Sequence, residues 1–178
     1  METLLFGIIT DTNVLRNKAA HSSTFRVVSE ITATGINFYS LQQEYLVDKK
    51  VSDINCWGIA FKRLRESANK AIAWTYIMQA DLGTQDVSCL EGLNDFLNSR
   101  LQTDITILVK ELPASKQAAA TPVKTKLSVR TKMTDANKLA KSIAAHIGNT
   151  TGGGHSMRAG IQSKEPVHVV IKKIASYS

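Results

Sequence analysis

The chain of 178 residues contains only two cysteines, Cys56 and Cys89, and only three prolines. The cysteines lie far apart and have no histidine at metal-ligand spacing, which excludes a disulfide scaffold and a cysteine-based zinc site. They are typical of reduced thiols in a cytosolic protein, so we expect a cytoplasmic location. The longest apolar run is far shorter than the roughly 20 residues that cross a bilayer, and we therefore expect no membrane partner.

The composition is that of an ordinary globular chain with an excess of basic residues. Hydrophobic residues make up 43% and charged residues 21% of the sequence, and the formal net charge is +7. A chain of this length can bury a real core and suits one domain, or one domain and a fragment of another. The positive charge favours an anionic partner, although it can also serve solubility alone.

The first third of the sequence has helical periodicity. Residues 4–9 form a short apolar run that is followed by Asp11, a carboxylate placed for a turn cap or a metal ligand. The spacing of apolar residues predicts a helix over 22–35, a shorter amphipathic segment over 38–45 and a third helix over 55–68. We expect the first domain to cover residues 1–68.

The remainder, residues 69–178, mixes both periodicities. Alternating or β-branched apolar residues predict strands over 72–78, 104–111, 124–132 and 159–162. Helical spacing predicts helices over 90–101 and 135–147, and the segment from Pro166 is either a closing helix or a strand. A low-complexity connection spans 113–123. We therefore expect an α+β fold in which a helical segment precedes a mixed sheet backed by helices.

Three consecutive glycines stand out near the end of the chain, as Gly152-Gly153-Gly154-His155. Glycines lose more backbone entropy on folding than other residues, so such a run usually serves close backbone approach or an unusual backbone angle. Backbone N–H groups in such a turn form an anion nest, to which an imidazole adds a donor. The run indicates either a phosphate-binding loop or a flexible loop after a helix.

This run, closed by Ala159-Gly160, resembles the C-terminal signature of the DHH/DHHA1 phosphoesterases: a glycine triplet, histidine, two variable residues, two small residues and glycine. The family includes nano-RNA and cyclic-dinucleotide phosphodiesterases, RecJ-type exonucleases and pyrophosphatase relatives. The chain departs from the pattern at Arg158, where the family has a small residue. That change adds a charge beside the expected phosphate site.

Two further stretches extend the resemblance over nearly the whole chain. The segment over 7–12, Gly-Ile-Ile-Thr-Asp-Thr, resembles the last part of a DHH domain, in which the aspartate, here Asp11, binds metal. Asn13 replaces a family glycine and tolerates the same left-handed turn. The second stretch, Ser128-Val129-Arg130-Thr131, resembles the Ser-apolar-Arg-Ser strand whose arginine faces the substrate phosphate.

The resemblance implies a set of phosphate-binding residues, each with a plainer alternative. Arg130 offers a bidentate fork to phosphate but is otherwise an exposed strand arginine, and His155 is a donor to phosphate or a structural histidine. Arg16 follows the Asp11 turn and would reach a phosphate from the opposite side of a cleft. The remaining candidates supply hydroxyl or backbone N–H groups: Ser128, Thr131, Gly152, Gly153 and Gly154.

The metal ligands of the family are missing from this sequence. Family members hold two divalent ions, usually manganese, on an Asp-X-Asp and an Asp-His-His motif, and neither motif is present. The four histidines, His21, His146, His155 and His168, adjoin neither each other nor an aspartate. A single carboxylate, Asp11, cannot hold a metal pair. We expect no cofactor in the isolated chain, and manganese only with a complete DHH domain.

Three hypotheses follow. The chain is a nucleotide or short-oligonucleotide binding module of a nano-RNA or 3′-phosphoadenosine 5′-phosphate hydrolase, inactive alone; or a regulatory or structural protein that kept the fold; or a hydrolase with unrecognised ligands. The expected partners are short RNA, DNA or nucleotide phosphate. A chain carrying a DHH domain, or a second copy meeting at residues 4–9, is a further expected partner.

Overall fold

A computed structural model of the chain describes residues 1–16, 19–45, 50–113, 124–148 and 150–177. The connection predicted over 113–123 lies almost wholly outside these ranges. Contacts divide the chain into two compact units, Met1–Lys49 and Lys50–Ser178. Within the described ranges, no helix combines the length and the apolar character that a bilayer crossing requires.

The first unit is helical. Its helices are α1 (Glu2–Asp11), α2 (Ser22–Thr32) and α3 (Phe38–Tyr45). The helices predicted from residue 22 and residue 38 are confirmed, and the apolar run over 4–9 is part of α1. A small core of Leu5, Ile9, Val28 and Ile31 holds the three helices together. Leu4, one position before the buried Leu5, is 56% exposed.

The second unit alternates helices and strands. Its elements are α4 (Val51–Lys62), β1 (Arg65–Glu66), β2 (Ile72–Ile77), α5 (Gln79–Leu82), α6 (Leu93–Arg100), β3 (Ile105–Glu111), β4 (Thr125–Thr131), α7 (Ala136–Ile147), β5 (Thr150–Gly154), β6 (Arg158–Ser163) and α8 (Val167–Ala175). A 3₁₀ turn, Val87–Leu90, precedes α6. The segment after Pro166 is thus a helix, and its strand alternative is wrong.

The strands of the described ranges form one six-stranded mixed sheet in the order β1-β2-β3-β4-β6-β5. Among these strands, only β2 and β3 run parallel, and the other neighbours are antiparallel. The sheet confirms the predicted α+β fold.

Helices pack on both faces of this sheet but cover them unequally. On one face, α7 and α8 pack against alternate residues of the central strands, among them Ile107, Val109, Leu127 and Ile161. On the other face, α4 and α6 pack against Ile77 of β2 and Leu108 of β3, within a second cluster of buried residues. This second layer of helices leaves residues exposed on β4, β6 and β5, which are the last three strands in the order of the sheet.

The third predicted helix has different ends from those expected. Helix α4 stops at Lys62, and Arg65 and Glu66 pair with Trp74 and Ala73 of β2 instead of continuing to residue 68. Arg63 at the helix end pairs with Asp81 through both guanidinium nitrogens. Strand pairing and this ion pair override the helical spacing of the sequence, since local propensity is weaker than tertiary contacts.

Helix α4 also explains why the two compact units meet at residues 49 and 50, whereas the sequence predicts a domain boundary at residues 68 and 69. Its buried residues Cys56 and Ala60 belong to the same core as Leu93 of α6 and Leu108 of β3. Composition alone assigned this helix to the helical first third. Its contacts assign it to the unit that contains the sheet, which therefore begins at Lys50.

Helix α7 has the ends that its sequence predicts. The carboxylate of Asp135 accepts hydrogen bonds from the backbone N–H groups of Asn137 and Lys138, at 2.9 and 3.0 Å. Gly148 ends the helix with a φ of 72°, in the left-handed region that favours glycine. The apolar stripe of the helix, including Ala140 and Ile143, is buried against the sheet.

The glycine run was predicted to be a loop, and that prediction is wrong: it forms most of the edge strand β5. A Cβ built on Gly152 would lie 2.9 Å from the backbone oxygen of Ala140, which shows that β5 packs directly on the backbone of α7. A Cβ on Gly154 would lie 2.4 Å from the backbone oxygen of Arg158. Two of the three glycines are therefore required by packing.

We predict that Gly152→Ala destabilises the protein, because the added methyl group meets backbone that cannot move aside without separating β5 from α7. The expected loss in free energy of unfolding is about 1–3 kcal/mol, as for other overpacked sites. Gly160→Ala on β6 is the matched control, since its nearest neighbour would be at 3.8 Å. Urea denaturation of both variants makes the comparison, and equal midpoints would contradict the packing argument.

Candidate functional site

The exposed sides of β4, β6 and β5 form one surface, which we call the open face. Because side chains alternate along a strand, residues two positions apart share a face. The strand registers then arrange the open face in three rows across the strands. The first row is Lys126, Gln162 and Thr151, the second is Ser128, Gly160 and Gly153, and the third is Arg130 and Arg158.

The middle row forms a low floor between two polar rows. Gly160 and Gly153 carry no side chain, and a Cβ on Gly160 would meet nothing closer than 3.8 Å. A shallow depression of about 260 Å³ lies along this floor, lined by Lys126, Thr151, Gly152, Gly153, Gly160, Ile161 and Gln162. Glycine backbone and the polar side chains of Lys126, Gln162 and Thr151 therefore contribute to the lining of a space that is accessible from solvent.

Two arginines converge at the third row. Arg130 and Arg158 are direct cross-strand partners, and both approach the Oδ1 atom of Asp95 on α6, Arg130 Nε at 2.8 Å and Arg158 Nη2 at 3.5 Å. The side chain of Arg130 is only 20% exposed, while that of Arg158 is 47% exposed. A carboxylate thus occupies the position where two guanidinium groups meet, and an anionic ligand would compete for the same donors.

Helix α6 is positioned for this contact by its own polar side chains. The side-chain amide of Asn94 donates to the backbone oxygen of Ser128 at 2.7 Å, which fixes the first turn of α6 over β4. Asp95 was not among the residues predicted from sequence. It is 35 positions from Arg130 along the chain, and nothing in the local pattern indicates that the two side chains meet.

The structure brings three of the predicted residues together on the open face: Ser128, Arg130 and Gly153. Their neighbours Gly152 and Gly154 serve packing, and the N–H of Gly154 donates to the side-chain oxygen of Asn137 at 3.2 Å. An anion nest of successive free glycine N–H groups is therefore not the arrangement seen in this strand.

His155 and Thr131 have different surroundings. His155 is exposed at the start of the β5–β6 turn, and its N–H donates to the backbone oxygen of Arg158 at 2.8 Å, so it lies beside the third row. Thr131 is 1% exposed, and its hydroxyl donates to the backbone oxygen of Thr134. Thr131 thus holds the turn before α7 and does not present its hydroxyl on the open face.

Asp11 and Arg16 lie in the first unit. Asp11 is the last residue of α1 and is exposed, as is Arg16. Between them the chain turns through three left-handed residues, Asn13, Val14 and Leu15, with φ of 49°, 58° and 60°. Asn13 adopts the conformation expected for it, whereas a β-branched residue such as Val14 is strained there.

The described residues do not fit a two-metal centre. Nowhere in the described ranges do three or more histidine, cysteine, aspartate or glutamate side chains gather closely enough to hold a metal ion. Hard divalent ions need several oxygen ligands, and Asp11 supplies one carboxylate.

Asp104, which was not among the residues predicted from sequence, stabilises the turn before α7. The carboxylate of Asp104 accepts hydrogen bonds from the backbone N–H groups of Lys132, Met133 and Thr134 and from the Thr134 hydroxyl. Burial acts to raise the pKa of Asp104, but these hydrogen bonds outweigh it and lower the pKa below its usual value. The carboxylate thereby fixes the turn that joins β4 to α7.

Comparison with known proteins gives no sequence match: no family model and no curated protein matches the chain. Solved structures do match. An exopolyphosphatase-related protein from Bacteroides fragilis superposes with a TM-score of 0.77 at 16% identity, over 95% of this chain and 46% of that chain. This likeness confirms the fold that the resemblance implied. The chain therefore shares the fold of this exopolyphosphatase-related protein.

Two further structures match more loosely. The C-Ala domain of alanyl-tRNA synthetase from Aquifex aeolicus has a TM-score of 0.43 at 12% identity, over 64% of this chain and 95% of that domain. A DHH domain from a member of the s1p family of ribosomal proteins has a TM-score of 0.44 at 14% identity, over 87% of this chain and 34% of that chain. The chain spans about half the length of the exopolyphosphatase-related protein.

We predict that Asp104→Asn destabilises the protein by about 2–3 kcal/mol at pH 7, because several hydrogen bonds lose their charged acceptor. The lowered pKa means that the wild type has this stabilisation above the unfolded-state pKa, near 4, and loses it as pH falls through the folded-state pKa. The difference in urea midpoint between the two proteins should therefore shrink between pH 7 and pH 3.5. A difference that stays constant with pH would contradict this assignment.

We predict that Asp95→Asn strengthens binding of small phosphate anions at low salt. Removal of one negative charge within hydrogen-bond distance of the arginines is worth about 1 kcal/mol in a solvent-exposed site, or roughly a five- to tenfold gain in affinity. Glu66→Gln, on the distant edge strand β1, is a control that changes the net charge equally. Weaker binding by Asp95→Asn would show instead that the carboxylate orients Arg130 for the ligand.

Proposed function

We propose that this chain is the nucleotide or short-oligonucleotide phosphate-binding module of a DHH/DHHA1-type phosphodiesterase, of the nano-RNA or 3′-phosphoadenosine 5′-phosphate hydrolase kind. The observation that carries the proposal is the convergence of Arg130 and Arg158 on the open face, in the row next to Gly160 and Gly153. Guanidinium groups give planar, bidentate hydrogen bonds to phosphate, and a floor without side chains allows close approach.

The surrounding residues fit such a ligand. Ser128 has its side chain in the middle row of the open face, and His155 lies beside Arg158 at the strand end. Both side chains are of types that hydrogen-bond phosphate oxygens. The net charge of +7 favours the approach of an anion to the whole chain.

Binding without hydrolysis is the second part of the proposal. Phosphodiester hydrolysis in this family depends on two divalent ions, which stabilise the attacking and the leaving oxygens. The described residues lack a ligand set for such ions, as shown above. We propose that a DHH domain with the full motifs supplies the ions, usually manganese, and that this chain binds the phosphate. That domain is a proposed partner, as is a second copy docking through the apolar residues of α1.

An alternative function has one specific observation in its favour. The Asp95 carboxylate already pairs with both arginines, as it would in a protein that kept the fold but uses the arginines only to hold α6 on the sheet. Such a protein would be regulatory or structural. The two functions differ in whether a phosphate ligand can displace Asp95.

The test is a titration of the purified chain with a labelled trinucleotide and with 3′-phosphoadenosine 5′-phosphate, at low and high salt and with and without manganese. We predict that Arg130→Ala weakens binding about 10- to 100-fold, since hydrogen bonds to charged groups contribute about 1.5–3 kcal/mol. His155→Ala should weaken it as well. The control variant is Lys141→Ala. Lys141 is exposed on α7, so this substitution removes the same charge without changing the open face.

Each outcome separates the hypotheses. Salt-dependent binding that Arg130→Ala and His155→Ala abolish, without turnover, supports the binding module. Absence of binding at low salt favours the regulatory or structural protein. Turnover by the isolated chain with manganese would show that it carries metal ligands of its own, and would overturn the second part of the proposal.

A further inference from the structure

A second cationic row lies on the open face, at the opposite side of the glycine floor from the arginines. Lys126 on β4 has Gln162 as its partner on β6, and Gln162 has Thr151 as its partner on β5. Lys110 on β3 is the partner of Lys126 on its other side. These four residues form one continuous line across four strands, which we call the lysine row.

The lysine row carries two positive charges on neighbouring strands. Among the described residues, neither Lys110 nor Lys126 forms a salt bridge, although Glu91 acts on Lys110 from a greater distance. Like charges directly opposite each other on neighbouring strands destabilise a sheet. Burial, followed by the charges of Lys126 and Arg130, lowers the pKa of Lys110 below its usual value. An anion bound at this row would relieve the repulsion.

The remaining residues of the row are suited to the same ligand. Gln162 and Thr151 are exposed and offer an amide N–H₂ and a hydroxyl, and both line the depression together with Lys126. The open face therefore has a cationic end at Lys126, a middle row with two glycines, and a second cationic end at Arg130 and Arg158. No bulky side chain from the middle row separates the two ends.

The distance between the two ends limits the ligand. Rows on the same face of a strand are about 6.7 Å apart, and Lys126 and Arg130 are two rows apart, or about 13 Å between their Cα atoms. A ligand with one phosphate at each end must span this distance. In an oligonucleotide, successive phosphates are joined through a sugar, which gives them a separation comparable to one row. In inorganic polyphosphate, neighbouring phosphorus atoms share one oxygen and lie much closer together.

We propose that the lysine row (Lys110, Lys126, Gln162 and Thr151) is a second phosphate subsite, so that the ligand is a short oligonucleotide whose backbone crosses the glycine floor along β4 and β6. This inference rests on the proposed function and adds a minimum length to its ligand. Arg130 and Arg158 bind one phosphate, and the lysine row binds another further along the same strand of nucleic acid.

The test compares ligands of increasing length on the full chain. The ligands are 3′-phosphoadenosine 5′-phosphate and 5′-phosphorylated di-, tri- and tetranucleotides, with linear polyphosphate of the same charge as the tetranucleotide. The affinity of the wild type should rise at least tenfold from 3′-phosphoadenosine 5′-phosphate to the tetranucleotide. Polyphosphate of equal charge should bind more weakly than the tetranucleotide.

Substitutions then separate the two subsites. Lys126→Ala and Gln162→Ala should abolish the gain with length, while affinity for 3′-phosphoadenosine 5′-phosphate changes less than twofold. Arg130→Ala should weaken binding of every ligand, and Lys141→Ala is the control of equal charge. Thermal denaturation of each variant verifies that it folds, and Lys126→Gln keeps a long polar side chain if Lys126→Ala does not fold.

The possible failures are distinguishable. If no ligand binds, the proposed function fails. If all lengths bind equally and Lys126→Ala has no effect, the proposed function survives and the second subsite is wrong. If polyphosphate binds as tightly as the tetranucleotide, the lysine row is an unspecific anion surface and the inferred ligand class is wrong.

Discussion

The close contact between β5 and α7 is the constraint on which the functional face depends. Gly152 allows the edge strand to lie against the helix backbone, and Gly154 allows the chain to turn directly into β6. The N–H of Ala136 donates to the oxygen of Ser156 at 2.7 Å, which ties the β5–β6 turn to the first residue of α7. With the hairpin fixed on one side by the helix, its other side is left free to form the open face.

The glycine motif serves packing on one face of the sheet and leaves the open face clear on the other. The glycines at 152 and 154 are needed where the backbone is crowded, while Gly153 and Gly160 keep a path clear between two cationic rows. Asp95 pairs with both arginines at one end of this path. In the proposed function, an anion bound at that end would replace these charge-assisted hydrogen bonds with its own.

Much of the fold could be predicted from periodicity, and the exceptions have physical causes. The strong stripe and both caps of α7 placed that helix correctly, and alternation placed β2, β3 and β4 to within a few residues. Residues 65 and 66 carry a helical pattern but pair with β2, since strand pairing contributes more than a marginal helix end. The glycine run has no side-chain pattern at all, so neither periodicity could reveal the edge strand that it forms.

The sequence by itself determined the α+β class, the positions of most helices and strands, and the residue types that we propose for phosphate recognition, because these depend on local spacing and chemistry. The tertiary structure alone decided which of those residues share a face. Strand register placed Arg130 opposite Arg158 and Lys126 opposite Gln162, removed Thr131 into the core, and brought Asp95 to the arginines. Such pairings join residues distant in the chain, and only the packing of helices on a sheet specifies them.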